Sequence, residues 1–456
     1  MKLRTILAVA ACKLSRRMIR LLGRGGTDLP GRIALKIDPN LLGTLARGVA
    51  TLIVTGTNGK TTTSRMIEQS WRAAGISFFA NKTGANLLSG VTAEFAVNST
   101  LTGRCRYTHA LIESDEAAFK AISRYVDAKG VVVTNVFRDQ LDRYGEVTHT
   151  LENILIGIRN SKNAVLALNA DDSLCTSIAD QVENRVIFYG VNAPIYATRV
   201  EELSDAPYCI RCKHEYIYDY VTYGHLGGYR CPACGYARPQ PQVAVTEVVR
   251  SDSERSQVVF SVDAQSIPAT ICLPGGYNIY NACACMAAGK LMGLDAQATA
   301  RSLGEFACGF GRMEKFVLND TPVRMSLIKN PAGCNQVLNF LTQQKEPFVF
   351  AICLNDRAQD GRDVSWIWDV DFERLTAMED VLKEIYVSGC RAEDMALRLK
   401  YAGFPTERLH IQKNYPALIE QMTAHKLPVI VMPTYTAMLE VRGTISKRYG
   451  YREFWQ

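Results

Sequence analysis

Lys60 follows Gly56-Thr57-Asn58-Gly59 and precedes Thr61, Thr62 and Thr63. Glycines beside a lysine and a hydroxyl have a defined chemical use. Backbone N–H groups come close to phosphate oxygens, the lysine neutralises β- and γ-phosphate charge, and the threonine offers a ligand to Mg²⁺. The common phosphate loop, G-x-x-x-x-G-K-[ST], would have its first glycine at position 54, where this chain has Val54. The missing glycine shortens the turn and removes none of the phosphate-binding groups. A second constellation is Cys209, Cys212, Cys231 and Cys234, a C-x₂-C-x₁₈-C-x₂-C pattern. Two such knuckles supply four thiolates for a tetrahedral zinc, and a site filled by sulfur has no open position for catalysis. It reads as a structural zinc. The other ten of the fourteen cysteines are scattered, which suits a reducing compartment.

These residues need elements to hold them. Residues 51–56, TLIVTG, read as a short buried strand, and residues 61–75 as a helix with Met66, Ile67 and Trp71 inward and Gly75 at its end. A strand, a glycine turn and a helix N-terminus are the setting that a triphosphate requires. Gly224, Gly227, Gly228 and Gly235, with Tyr216, Tyr218 and Tyr229, fit a small β-ribbon between and after the cysteine knuckles. A chain of 456 residues with 47% apolar and 21% charged residues reads as a globular protein with room for two or three cores.

The net charge of +7 is local. Residues 1–26 hold seven basic residues (Lys2, Arg4, Lys13, Arg16, Arg17, Arg20, Arg24) and no acid, and the rest of the chain has 45 of each sign. This balance speaks against a nucleic-acid partner, for the ribbon as well. The N-terminal segment is too short in apolar residues to span a bilayer and is followed at once by basic residues, so no cleavage is expected. As a helix it gathers Leu7, Ala10, Leu14, Met18, Leu21 and Leu22 on one side, with Lys13, Arg16, Arg17, Arg20 and Arg24 adjacent. That arrangement suits either an anionic membrane surface or packing on the chain's own domain with a solvated basic edge. The expected location is the cytoplasm, with a peripheral contact to the inner face of the membrane as its finer form.

The variant loop TGTNGKTTT resembles the ATP loop of the Mur ligase family, and further segments follow in the family's order. LIESDEA (111–117) resembles its metal-binding acid segment, which places Glu113 there. VVVTNVFRDQLDRYGEV (131–147) resembles N-V-x-x-D-H-x-D-R through Asn135, Asp139, Asp142 and Arg143. LALNADD (166–172) and LPGGYNIYNACAC (273–285) resemble the asparagine-bearing segments around the nucleotide, pointing to Asn169, Asp171, Asn278 and Asn281. GFGRMEKF (309–316) resembles the domain-junction motif through Arg312. The resemblance implies that ATP is held by Gly56, Thr57, Asn58, Gly59, Lys60, Thr61, Thr62, Asn278 and Arg312, and Mg²⁺ by Thr61 and Glu113. Lys60 and Glu113 would serve the phosphoryl-transfer step.

The chain also departs from that family. Its metal-ligand histidine falls on Gln140, and the lysine that many relatives carbamylate falls near Ile156. The zinc ribbon interrupts the central domain. IKNPAGCNQVL (328–338) replaces the usual junction, and CLNDRAQDGRDVSWIWDVDFE (353–373) is rich in carboxylates and tryptophan. Together these features resemble the branch of the family that serves as the ligase-like subunit of lipid II isoglutaminyl synthase. That resemblance implies ATP-dependent amidation of the α-carboxylate of D-glutamate in the lipid II stem peptide. Ammonia would come from a separate GatD-like glutaminase subunit, since this chain has no G-x-C-x-G elbow of its own. It also implies an aspartate lent to the partner's histidine, and Asp363 is the first choice among Asp360, Asp363 and Asp369. Trp366 and Trp368 fit core or interface positions better than substrate contacts.

The expected architecture is α/β: a helical lead-in over 1–48, and a Mur ligase-like ATPase domain with a parallel sheet over 49–317. A four-cysteine zinc ribbon would be inserted at about 200–245, and a smaller Rossmann-like α/β domain over 318–456 would contact the glutaminase. The ATP site would lie between the two larger domains. Two rivals share some of these features: an amino-acid-adding Mur or folate-type ligase, and a zinc-ribbon ATPase acting on nucleic acid. The first normally needs the carbamylated lysine, and the second needs a basic surface.

Overall fold

The apolar, β-branched run Thr51–Thr55 forms the middle of a wide sheet because both of its faces are covered, the situation in which parallel strands lose hydrophobic alternation. In the computed structural model, which describes residues 3–21, 28–81, 85–138, 147–195, 204–252, 254–306 and 313–451, Leu52, Ile53 and Val54 are fully buried. Their strand β1 (Ala50–Thr55) shares a nine-stranded sheet with β2 (Phe78–Ala80), β3 (His109–Glu113), β4 (Ala128–Val133), β5 (Val165–Asn169) and β6 (Val186–Val191). The sheet is completed by β9 (Val243–Ser251), β10 (Ser256–Val262) and β11 (Gln265–Ile271). The strand order is β11-β10-β9-β6-β5-β4-β1-β3-β2.

From β2 to β9 all neighbours are parallel, as expected, but β9, β10 and β11 form an antiparallel meander. The connections explain the difference. Asp263 and Ala264, both with positive φ, close the β10–β11 hairpin, and a tight turn cannot carry the crossover that a parallel pair needs.

Helix α4 (Lys60–Ala73) covers one face with Met66, Ile67 and Trp71 buried, and Trp71 meets Phe78 edge-on at 5.3 Å. The ribbon strands β7 (Ile217–Tyr223) and β8 (Leu226–Arg230) form a separate antiparallel pair. Cys209, Tyr216, Tyr229, Cys231 and Tyr236 make a small core beside it. The insertion ends before Val243, where β9 rejoins the main sheet.

The second sheet orders β12 (Glu314–Leu318), β13 (Thr321–Met325), β17 (Val429–Pro433), β14 (Phe348–Cys353), β15 (Leu382–Ser388) and β16 (Leu409–Ile411) in that sequence. β12 crosses the expected boundary at 317–318 and pairs wholly with β13, so the change of domain falls before Glu314.

Helix α1 (Leu3–Leu21) buries a different face from the apolar one. Ala8, Val9 and Cys12 are fully buried, and the Arg16 guanidinium pairs with Glu94 at 2.8 Å under the helix. α1 packs on α2 (Leu29–Ile37) and α5 (Leu88–Val97), and the short α3 (Leu41–Leu45) also lies against α5. The leucine stripe stays outside: Leu7, Leu14, Met18 and Leu21 are each more than half exposed. Small residues allow the close approach, so the chain uses alanine and cysteine for packing and leaves its bulky residues to the surroundings. No described helix is long and apolar enough to cross a membrane.

Candidate active site

The loop after β1 depends on two glycines at left-handed φ, Gly56 at +115° and Gly59 at +84°. A Cβ on Gly56 would come within 2.4 Å of Thr134 Oγ1, and one on Gly59 would overlap the Asn281 side chain. Both positions therefore need glycine for the backbone to approach its neighbours. The β4 loop then clamps the turn. Asn58 N–H donates to Asn135 Oδ1 at 2.9 Å and Asn135 Nδ2 donates back to Asn58 O at 3.1 Å. Phe137 N–H donates to Thr57 Oγ1 at 3.0 Å, and that hydroxyl donates to Phe137 O at 3.1 Å. The first turn of α4 carries Lys60, Thr61 and Thr62 with its amides toward the loop, the arrangement that favours phosphate.

Two residues expected at a common site meet directly. Thr61 Oγ1 donates to Glu113 Oε1 at 2.9 Å, a hydroxyl and a carboxylate at the C-terminal ends of adjacent strands. Hard oxygen donors of this kind suit Mg²⁺, which takes few protein ligands and completes its shell with water and phosphate. Lys60 is paired elsewhere. Its Nζ donates to Gly56 O, to Thr57 O at 3.2 Å and to Glu116 Oε1 at 3.0 Å. Glu116 was not expected at the site. Its place three residues after Glu113 in LIESDEA, at the start of the helix Glu116–Ile122, is the available signal.

Asn281 joins the loop through Thr63 Oγ1 (3.3 Å) and is oriented by Asn278, whose Oδ1 accepts from Asn281 Nδ2 at 3.0 Å. Asn278 itself donates to Pro274 O at 2.7 Å, so it acts on the loop through Asn281. Asn169 donates to Thr134 O at 3.1 Å and supports the same strand ends. Ile156 lies in the helix Val147–Asn160 and brings no charge. Arg312, Asp139, Gln140, Asp142 and Arg143 lie outside the described residues.

The second domain reaches the loop. Lys329 Nζ donates to Thr57 O at 3.2 Å, and Asn330 Nδ2 to Asn58 Oδ1 at 3.0 Å. Asn330 also caps the helix Pro331–Leu341 through Gly333 N–H, which makes one asparagine both a cap and a domain contact. A cleft of about 570 Å³, open mouth included, lies along this junction. Asn58, Gly59 and Thr62 line it from the loop, and Ala332, Gly333 and Gln336 from the second domain.

The three candidate aspartates of the acid-rich loop, Asp360, Asp363 and Asp369, have three different settings. Asp360 is buried, accepts from Thr436 N–H at 2.7 Å and from the Thr436 hydroxyl, and thereby holds the start of the helix Tyr435–Tyr449. Its two oxygens already serve the fold. Asp363 is half-buried and, among the described residues, accepts a local bond from Ser365 N–H at 2.8 Å. Asp369 pairs with Arg138 of the central domain at 3.1 Å, and the Arg138 backbone N–H donates to Asp205 at 2.8 Å. Ile367 of this segment is buried, Trp366 packs against the C-terminal core, and Trp368 is half exposed.

The four expected zinc ligands form the one cluster of metal-competent side chains among the described residues. Cys209 and Cys234 sulfurs are 3.6 Å apart, and those of Cys212 and Cys231 3.4 Å. A disulfide would be far shorter, whereas a zinc tetrahedron with bonds of about 2.3 Å has edges of about 3.8 Å. Burial would raise the Cys209 thiol, but the N–H groups of Cys212 and Arg211 and its thiol neighbour outweigh it and bring it to about 6. The donor set fits zinc.

The ribbon is fastened to the ATPase domain by buried polar groups. Arg238 Nε donates to Asp171 at 2.6 Å, Tyr280 to the same carboxylate at 2.5 Å, and His225 Nε2 lies 3.3 Å from Asp172. Burial would raise the Asp172 carboxyl. His225 and the N–H groups of Val136 and Cys175 prevail and hold it below the ordinary carboxylate range. Sequence reading associated Asp171 with the nucleotide segment and passed over Asp172 and His225, which no local pattern connects.

Comparison with known proteins agrees with this geometry. Residues 54–215 match the Mur ligase middle domain and residues 327–438 the MurT ligase C-terminal domain. The chain is 34% identical to the MurT subunit of lipid II isoglutaminyl synthase (glutamine-hydrolyzing) from Streptococcus pneumoniae, over 99% of each chain. It is 33% identical to the corresponding subunit of Staphylococcus aureus, over 97% of this chain and 98% of that one. A pseudomurein peptide ligase type C from Methanothermus fervidus has the same fold, with a TM-score of 0.66 at 20% identity over 88% of this chain and 79% of its own. With the phosphate loop, the second-domain contact and the cysteine ribbon in one chain, and full-length identity above 30%, the protein belongs to the MurT family of Mur ligase-like subunits.

Proposed function

We propose that this chain is the ligase subunit of a two-subunit amidotransferase that converts the α-carboxylate of D-glutamate in the lipid II stem peptide to an amide. The carrying observation is the double hold on the phosphate loop, by Asn135 from its own domain and by Lys329 and Asn330 from the other, beside the Thr61–Glu113 pair. A carboxylate is a poor acyl donor. Its oxygen attacks the γ-phosphorus of ATP, ADP leaves, and the resulting acyl phosphate has phosphate as its leaving group. Ammonia adds to the carbonyl carbon, phosphate departs and a proton is released. The protein's part is charge neutralisation and in-line positioning. Lys60 exchanges its contacts with Gly56, Thr57 and Glu116 for phosphate oxygens, Thr61 and Glu113 hold Mg²⁺, and Lys329 brings positive charge from the second domain.

Ammonia is supplied by a GatD-like glutaminase that contacts the C-terminal domain. Asp363 orients the partner's catalytic histidine by accepting its N–H. Its carboxylate supports this role better than that of Asp360, whose oxygens are taken up within the fold. The zinc of the ribbon is structural. The exposed stripe of α1, with Arg4 and Arg17 at its edge, suits peripheral contact with an anionic bilayer, where the lipid-linked substrate resides.

The test is reconstitution with a glutaminase, lipid II, ATP and glutamine, following amidated product by mass. Product from the pair, and none with Lys60→Ala, is expected. Equal glutaminase activity with and without this chain would remove the shared-histidine role.

A further inference from the structure

We infer that the zinc ribbon is part of the nucleotide site, with Tyr223 as the wall against which the purine base of ATP rests. The inference builds on the proposal that the interdomain cleft binds ATP. Tyr223 is the last residue of β7 and lines that cleft together with Gly59, Thr62 and Asn281. Phosphate belongs at the loop and the first turn of α4. Away from the loop the lining mixes flat and apolar groups (Tyr223, Tyr277, Leu327, Ala332, Val337) with the polar Ser326 and Gln336, which together suit a base better than a phosphate.

The ring is held from several sides. It stacks on Phe137 at 5.6 Å and 8°, and meets Tyr280 edge-on at 5.6 Å. Phe137 is the residue whose backbone exchanges two hydrogen bonds with Thr57 of the phosphate loop. One residue thus touches the loop with its backbone and the ribbon tyrosine with its ring.

Both flanks of Tyr223 are anchored in the ATPase domain. Thr222 Oγ1 and Tyr280 OH are 2.7 Å apart, and His225 lies 3.3 Å from Asp172 with its ring 4.4 Å from that of Phe137. Gly227 N–H donates to Asp171 O at 2.9 Å. The β7–β8 turn therefore sits against the nucleotide end of the sheet. The cysteine knuckles lie beyond the opposite ends of the two strands, with Cys209 and Cys212 ahead of β7 and Cys231 and Cys234 after β8. Zinc joins those ends.

Binding of ATP and of inorganic tripolyphosphate to the full chain, with zinc and Mg²⁺ present, separates a base contact from general support. Tyr223→Ala is expected to weaken ATP about tenfold, the scale of one base–aromatic stack, and to leave tripolyphosphate within about twofold. Tyr223→Phe should bind ATP as the unmodified chain does. Unchanged ATP binding by Tyr223→Ala would overturn the inference. So would an equal loss of both ligands, which would make the tyrosine a support of the fold. If the unmodified chain bound neither ligand, the cleft would not be a nucleotide site, and the parent proposal would fall with it.

Discussion

Two loops of this molecule follow the carboxyl ends of buried parallel strands, and they work in opposite ways. After β1, the residues Gly56–Thr61 present backbone conformation and amide direction, so each position has one job set by its place in the turn. After β14, three of the aspartates in the segment 354–369, Asp360, Asp363 and Asp369, have identical chemistry and different settings. One holds the helix Tyr435–Tyr449, one closes a local turn, and one reaches across to Arg138. Where the main chain is the ligand, spacing carries the meaning. Where side chains act, the meaning lies with the partner brought alongside.

The largest break in this contrast is Lys60→Ala. Amide formation should fall at least about a thousandfold, and the melting temperature should drop as well because the buried ion pair with Glu116 is lost, so the rate is compared at a temperature where both chains are folded. Glu113→Gln should cost about a hundredfold in kcat and raise the Mg²⁺ concentration needed for half-activity, since Thr61 loses its carboxylate partner.

The aspartates should then separate. Asp363→Asn is expected to lose about tenfold or more of glutamine-dependent amidation, to keep its rate with free ammonia, and to leave stability within about 0.5 kcal/mol. Asp360→Ala should lower stability by about 1–3 kcal/mol, seen in denaturant melts, and reduce ammonia- and glutamine-dependent rates alike. The same rescue by ammonia in both variants would erase the distinction.

Asp172 adds a pH dependence. Its folded pKa lies below the ordinary 3.8, so its contribution is complete above that value and is lost as pH falls through the folded value. Asp172→Asn should therefore melt below the unmodified chain at pH 7, with the gap narrowing in acid. The smallest effect belongs to Asp369→Ala. Its pair with Arg138 is about one-third exposed on each side and contributes about 0–1 kcal/mol. Its readout is a change in domain spacing by small-angle scattering at low salt.

Much of the site was legible because it is local. The glycines, Lys60 and Thr61 fall within one turn, and the cysteine knuckles are two C-x₂-C pairs, each with a two-residue gap whose ligand geometry is built in. Glu113 was placed by its segment, and the structure sets it against Thr61. Glu116, three residues further on, is not legible in the same way, because nothing in the linear order says that a helix N-terminus will bring it to Lys60. The N-terminal helix was also half-read. Its leucine stripe was visible, but the packed face turned out to be the alanine and cysteine side with a buried Arg16–Glu94 pair.

By itself the sequence determined the turn at Gly56–Gly59, the inward face of α4, the four thiols of the ribbon and the α/β class. Each of these follows from backbone conformation or periodicity within about twenty residues. Only the tertiary structure decided that β9–β11 run antiparallel, that Asp360 is taken up by a helix start, and that Lys329 and Asn330 reach the phosphate loop. It also decided that a tyrosine from the cysteine ribbon lines the interdomain cleft. These facts join residues separated by tens to hundreds of positions. Such pairings are selected by the burial and hydrogen-bond satisfaction of the whole chain, which no local pattern encodes.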